Sequence, residues 1–477
     1  MNSLKSVKNY IFCFIIITAC LFICACSAKN EAEPVYGNND EITNNTEGTI
    51  ADNEDDAVVN TDKAGVGIVK DIATEDIATE ENTAEDIEET SYVKEALNDD
   101  NVSSEFIQKY YDFTEQTAVH IFCSKSRDNQ LYAPFNLYLA MSVLAELTGG
   151  EAWEEMQKAL GFSAIDSNRT ELNKAISALD KRYLNVGRFK IKNSLWLNDN
   201  IKYKDDILST VRDKYGTEIF KGDFQDAEFQ QMMTDWVSQN TNQGFKPDYS
   251  DLSYTGGTFV ALNTLDYYEE WITEFDEEST SEDYFTCSDN SKVLCEFMNM
   301  EEEPYSFLKG EDFISTYLHL KDKSNMLFIL PDEGIEVEDF LRKEGKLADI
   351  IYNWANYQTT IGKVKLSIPK FAYADENYLN DTVKAIGINK IFDVEENAFS
   401  NLTDENIFVG AIKQASKIKI DEYGCSASSY TEVNLFANSG LVGEDEAVIN
   451  LNRPFIYVLY KEKLPFLIGV VRNPLNS

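Results

Sequence analysis

The chain has 477 residues, 43% of them hydrophobic and 12% aromatic, which is ample for a large core and by length alone allows two to three domains. Its formal net charge of −41 argues against a nucleic-acid partner, because phosphate binding needs clustered Lys and Arg that the sequence does not show. Acidity of this size mainly confers solubility.

Residues 1–25 carry Lys5 and Lys8, then the apolar run Tyr10 to Ile23, then a small residue before a cysteine. That order is the pattern of a secretory signal. The tetrapeptide Ile23-Cys24-Ala25-Cys26 resembles a bacterial lipobox, which implies lipid on Cys26 and a mature protein anchored on the extracellular face of the cell membrane. A plain signal peptide or an uncleaved anchor helix is the alternative. From 26 to 103 the composition turns to Asp, Glu, Asn, Thr and Ala, with the near-repeat DIATE-DIATE at Asp71 to Glu80. Such a stretch buries too little apolar surface to offset its ordering entropy and reads as an extended acidic tether, with a short helix expected near Asp86 to Leu97.

A folded domain is expected over 104–477. Phe106, Tyr110, Phe113 and Ala118 recur at helical spacing; Pro134 opens a second helix through Leu147 that Gly149-Gly150 would close; a third spans Glu151 to Leu160. Strand-like runs at Lys190 to Leu197, Thr258 to Leu265 and Asn325 to Leu330 alternate with helical patterns at Lys204 to Tyr215 and Phe229 to Asn240. Strands then dominate at Val364 to Ile368, Lys417 to Ile420, Phe455 to Lys461 and Phe466 to Val471. A helix-rich first half and a strand-rich second half without a compositional break indicate one large α+β domain.

Cys123, Cys287, Cys295 and Cys425 are the cysteines of this part; Cys287 and Cys295 flank a turn and could face each other across a hairpin, or stay free. His120 and His319 lie in apolar settings outside any zinc or nucleophile motif and read as core histidines. No catalytic group, metal site or cofactor is expected.

The stretch Glu422 to Asn438, EYGCSASSYTEVNLFAN, is patterned as a strand yet tethered as a loop. Read with period two, Cys425, Ala427, Ser429, Thr431, Val433 and Leu435 form a small or apolar face, opposite a mostly polar one with Tyr430 and Glu432. It runs into Ser439, Gly440 and Gly443, which favour exposed loop.

Ile420 to Val433, IDEYGCSASSYTEV, resembles the reactive-loop hinge of a serpin, usually VNEEGTEAAAATAV. Further resemblances are Trp236-Val237 with Thr241, Leu262-Asn263-Thr264 with Tyr268 and Trp271, Ile368-Pro369-Lys370-Phe371, Gly387-Ile388, Ala398-Phe399-Ser400, and Phe466 to Pro474 after Ile449 to Phe455. The resemblance implies a serpin-like domain with a large central mixed β-sheet, further sheets, packed helices and an exposed loop. It implies a monomeric suicide substrate rather than an enzyme, whose partner is a serine or cysteine protease and whose cleaved loop inserts into the central sheet.

On that resemblance the hinge is Glu422, Gly424, Cys425, Ala427, Ser429 and Thr431. The bait bond falls after Asn438, before Ser439, fourteen residues beyond the hinge glycine, with Phe436 or Leu441 as fallbacks because the segment to Pro454 is longer than usual in the family. The shutter and breach positions are Asn136, Asn263, Trp271 and Gln414. The family's S-P-x-S is here Ala133-Pro134-Phe135-Asn136, and its shutter histidine is Gln414. Either an amide set formed by Asn136, Gln414 and Asn263 compensates, or the network is lost. The competing function is a non-inhibitory surface protein of the same fold, for which Ser428, Ser429 and Tyr430 in place of alanines speak.

Overall fold

The computed structural model describes residues 101–124, 128–181, 187–241, 246–250, 259–356, 358–425 and 445–476. The signal segment, Cys26, the acidic stretch to residue 100 and loop positions 426–444 lie outside the described residues.

The first half is mainly helical: α1 (Ser104–Phe122), β1 (Gln130–Tyr132), α2 (Pro134–Leu147), α3 (Gly150–Leu160), α4 (Ile165–Asp180), β2 (Arg188–Asn198), α5 (Asp205–Tyr215), β3 (Glu218–Gly222) and α6 (Ala227–Asn240). Strands then take over: β4 (Phe259–Glu270), β5 (Ser281–Thr286), β6 (Lys292–Lys309), β7 (Phe313–His319) and β8 (Asn325–Pro331). After α7 (Val337–Leu341) and α8 (Lys346–Ala355) come β9 (Thr360–Pro369), β10 (Phe371–Tyr378), α9 (Asn380–Ala385), β11 (Val409–Asp421), β12 (Gly424–Cys425), β13 (Glu446–Asn450), β14 (Phe455–Lys461) and β15 (Leu464–Val471). The class is α+β, as the sequence indicates.

Local chemistry accounts for the helices around the site. The Ser103 hydroxyl caps α1 by accepting from the Phe106 amide. Pro134 occupies the first turn of α2, where its missing N–H costs nothing. Every residue of α2 is buried: apart from Asn136, Ser142 and Glu146, which have hydrogen-bond partners, the helix is apolar, and such a helix is stable only inside the protein. Gly149 and Gly150 do not close that helix. Thr148 ends it, Gly149 caps α3, and Gly150, at φ +57°, is the first residue of α3.

Two sheets organise the domain. The central one has strand order β10-β11-β12-β4-β2-β3, and a nine-stranded sheet runs β1-β15-β14-β8-β7-β6-β9-β13 with β5 beside β6. The inner face of the central sheet, including Phe259, Ala261, Leu265, Ile412 and Ile418, joins the main core with α2 and the second sheet. Its outer face forms a smaller core in which Val260, Leu262, Ala411 and Ala415 pack with Trp236 and Val237 of α6. Both faces of β4 and of the first part of β11 are therefore largely buried, while Lys417 and Lys419 near the end of β11 are exposed.

The cysteine and histidine expectations resolve here. Cys287 and Cys295 are free: the hairpin register sets Cys295 opposite Asp283 while the Cys287 amide bonds to Ser291, so the two are not cross-strand partners. His319 is half-buried with Nδ1 2.7 Å from Asn325 Oδ1, and burial lowers its pKa. His120 is not a core residue: it is exposed on the last turn of α1, off the Thr117-Ile121 stripe, with Nδ1 3.0 Å from Thr382 Oγ1.

Candidate functional site: a seam in the central sheet

The middle of the central sheet is a parallel pair. Strands β4 and β11 lie side by side from Phe259↔Val409 to Leu265↔Ser416, with a register shift between Val409 and Ala411. All other pairings of β4 and β11 are antiparallel, and parallel ladders are slightly less stable per residue. The other parallel pair of this sheet, β2–β3, lies at its edge, so β4–β11 is the comparatively weak line down its centre.

At the upper end that line is already wedged open. β11 ends at Asp421, Glu422 and Tyr423 turn, and Gly424-Cys425 returns antiparallel between the two strands. Gly424 pairs with Asp421 and Glu270, and Cys425 with Ile420 and Glu269. The sequence-based expectation of a continuous strand from Glu422 held outside the sheet needs correcting at its first residues. Glu422 is in the turn, and Gly424 and Cys425 are inside.

Gly424 suits this place because no β-carbon fits. One built there would lie 2.4 Å from the Glu269 carbonyl oxygen and 2.7 Å from Glu270 Cα, at φ +156°. Cys425 points into the main core, with Sγ 3.9 Å from Met326 Sδ. Burial pushes its thiol pKa well above the usual range, and Asp421, Asp322 and Glu269 add to the shift.

Trp271 holds the turn. Its indole Nε1 donates to Asp421 O at 2.9 Å, its amide donates to Tyr423 O at 3.0 Å, and the Phe275 amide donates to Glu422 O. The Glu422 carboxylate accepts from Thr280 Oγ1 at 2.9 Å and pairs with Lys370 Nζ at 3.1 Å. Burial raises its pKa, but hydrogen bonds from backbone, Lys370 and Thr280 outweigh it and leave the group below the ordinary carboxylate value. Next to the wedge, Lys321 pairs with Glu270 at 2.7 Å, both side chains buried.

Lower on the seam lie the shutter positions. Gln414 Oε1 accepts from Ala133 N at 2.7 Å, and its Nε2 donates to Ala133 O at 2.9 Å and to Asn263 Oδ1 at 3.1 Å. Asn136 Nδ2 donates to Thr264 O at 2.8 Å rather than to Gln414. Asn136 Oδ1, Asn263 Nδ2, Asn193 Oδ1, Thr264 Oγ1 and Ser416 Oγ have no hydrogen-bond partner among the described residues. Each such buried group costs on the order of 1–3 kcal/mol, so the seam is under-satisfied where it is parallel.

The positions Ala427, Ser429, Thr431, Phe436, Asn438, Ser439 and Leu441, and the lipidation position Cys26, lie outside the described residues. Sequence reasoning did not find the partners Ala133, Thr280 and Lys321, because their bonds span long stretches of chain.

The sequence matches the family model described as Serpin (serine protease inhibitor) over residues 108–474. The chain belongs to the serpin family. Bovine Serpin A3-6 (Bos taurus) is 26% identical over 358 residues, covering 73% of this chain and 80% of that protein. A Bombyx mori protein named antitrypsin is 24% identical over 369 residues, covering 76% of this chain and 92% of the relative. The crystal structure of the thermophilic serpin Tengpin in the native state superposes with a TM-score of 0.68 at 27% identity, covering 78% of this chain and 95% of that one. As a serpin, the protein is grouped with protease inhibitors and not with catalysts.

Proposed function

We propose that this serpin is a monomeric, lipid-anchored inhibitor that traps a serine or cysteine protease at the extracellular face of the membrane. The signal segment 1–25 directs export, Cys26 carries the lipid, and the acidic stretch 26–103 tethers the domain. The protease nucleophile attacks the carbonyl of Asn438, with Phe436 and Leu441 as other candidates. An acyl-enzyme forms and the new amino terminus leaves, at Ser439 for the first choice. The freed strand then enters between β4 and β11.

The observation that carries this reading is the hinge: Gly424-Cys425 is already paired to both strands of a parallel seam. If the loop enters in that register, Ala427 would lie beside Ile418 and Tyr267, Ser429 beside Ser416 and Leu265, and Thr431 beside Gln414 and Asn263, so that small or hydroxyl residues would meet the core and the orphaned polar groups. Insertion replaces one parallel ladder with two antiparallel ones, each new hydrogen bond contributing about 1 kcal/mol.

Incubation with chymotrypsin-like, subtilisin-like and cysteine proteases tests it. The expected product is an SDS-resistant adduct of protease and chain with a released C-terminal peptide, whose first residue identifies the bond. Cleavage without adduct, and without a gain in heat resistance, would favour the non-inhibitory surface protein instead. An Asn438 bait, lacking positive charge, should leave trypsin-like enzymes unbound.

A further inference from the structure

Two aromatic rings close on one buried ammonium at the outer face of the seam. Lys413 of β11 is 1% exposed, and its charge is met from its own side: Glu376 Oε1, on β10, is 4.0 Å from Nζ. Tyr378, its cross-strand neighbour on β10, sets its ring centroid 3.9 Å from the ammonium. The second ring comes from elsewhere in the chain. Tyr249, in the segment 246–250 between α6 and β4, has its centroid 4.5 Å from Nζ and is 1% exposed. A cation held out of water against aromatic faces sits at the strong end of the cation–π range.

The two ends of this unit stand on opposite halves of the central sheet. Helix α6 is fixed on the half made by β4, β2 and β3: Trp236 Nε1 donates to Glu218 Oε2 at 3.0 Å, and Trp236 and Phe229 pack edge-on against Trp196 of β2. Thr234 Oγ1 of that helix donates to Pro247 O at 2.8 Å, which joins the segment 246–250 to it. Lys413, Glu376 and Tyr378 belong to the other half, β11 and β10. The parallel seam runs between the halves, with Lys413 directly opposite Leu262. Tyr249 packs in the smaller core with Leu262 and Ala415, one from each side. A strap anchored on one half and clipped to the other must let go at the clip when the seam widens.

We propose that Lys413 is the positioning residue that fastens the strap 246–250 across the seam and so restrains β4 and β11 from parting. The fastening concerns the intact fold; its bearing on protease trapping rests on the insertion reading above. Glu376 moves with β11, so the ammonium keeps its carboxylate when the clip opens. What opening costs is the contact with the Tyr249 ring and not a bare buried charge. Methionine at 413 fills similar space and offers that ring apolar contact alone, whereas arginine retains a cation that stacks on it.

The test follows hydrogen exchange in the intact full chain, in peptides spanning 259–265 and 409–416, with peptides of β14 and β15 as the reference. Lys413→Met and Tyr249→Leu should each speed exchange along the seam roughly tenfold and leave the reference peptides as in the parent. Combining the two should add nothing further. Lys413→Arg and Tyr249→Phe keep a cation and a ring face and should stay within about twofold of the parent. If Lys413→Met does not fold, Tyr249→Leu against Tyr249→Phe carries the same comparison. Unchanged seam exchange, equal acceleration in β14 and β15, or additive losses in the double variant overturns the clip. Trapping is read separately, with whichever of chymotrypsin, subtilisin or papain leaves part of the parent cleaved without an adduct. Lys413→Met should lose less chain to plain cleavage; the same or a greater loss overturns the bearing on trapping. A parent that forms no adduct with any of the three, while the exchange pattern holds, leaves the clip standing and fells only the insertion reading.

Discussion

Gly424 backs directly onto Glu269: the space a β-carbon would need is taken by that residue's carbonyl oxygen and by Glu270 Cα. Substitution to valine should therefore expel the hinge from between β4 and β11 and expose Cys425. Cys425 is 2% exposed with its thiol pKa raised, so alkylation of the intact parent should be slow there and faster at half-buried Cys123. In Gly424→Val, peptide mapping should show Cys425 labelled at least as fast as Cys123. Slow labelling of Cys425 in that variant would mean the hinge stays in place.

The Glu422-Lys370 pair gives the turn a pH signature. Glu422 is depressed in the folded protein from the ordinary value of 4.5, so its contribution is present above that value and is lost as pH falls through the folded pKa. Lys370 moves the other way: burial lowers its pKa, but Glu422 and Glu296 raise it above 10.5 on balance. Its contribution is complete below 10.5 and lost as pH rises through the folded pKa. Glu422→Gln should lower the melting temperature at pH 7, by about 1 kcal/mol of stability, while the gap to the parent narrows below pH 4.5. A gap that persists to pH 3 would show that the carboxylate charge is not what holds the turn.

Much of this was legible in the chain, and the failures have physical causes. The largely apolar run of α2 and the apolar, aromatic-rich C-terminal strands declared themselves by composition. Strand β6 did not, because it changes partner along its length, from β5 and β9 to β7, and so has no constant inner face. Helix α8 has a legible signal in Leu347, Ile350, Ile351 and Trp354 that the sequence reading passed over. At the site, period-two patterning correctly placed Cys425 on the inward face. It could not reveal the two-residue turn, since Glu422-Tyr423 carries none of the Gly or Asn that usually mark one. Nor could pattern show that Gln414 would grip the Ala133 backbone.

That grip is the basis of a third prediction. Gln414→Leu keeps the volume but removes three hydrogen bonds and leaves Ala133 N, Ala133 O and Asn263 Oδ1 without them beneath the seam. The expected loss is about 2 kcal/mol or more, seen as a lower thermal midpoint, with oligomers appearing on mild heating as the parallel pair opens. If calorimetry finds the variant as stable as the parent and size exclusion finds it monomeric, the amide does not hold the seam.

The last prediction separates the two faces of the loop. Ala427→Arg and Ser428→Arg add the same charge one residue apart. In the extended register, residue 427 would meet buried Ile418 and Tyr267, whereas residue 428 would lie outward beside exposed Lys417 and half-buried Asp266. An unpaired charge in the core costs several kcal/mol, enough to stall a strand whose entry must outrun hydrolysis of the acyl-enzyme. Circular dichroism and the thermal midpoint first check that both variants fold as the parent does. Ala427→Arg should then be cleaved as an ordinary substrate with no SDS-resistant adduct, while Ser428→Arg should still trap the protease. Equal trapping by both would mean that these residues do not enter the sheet with the phase that Cys425 sets.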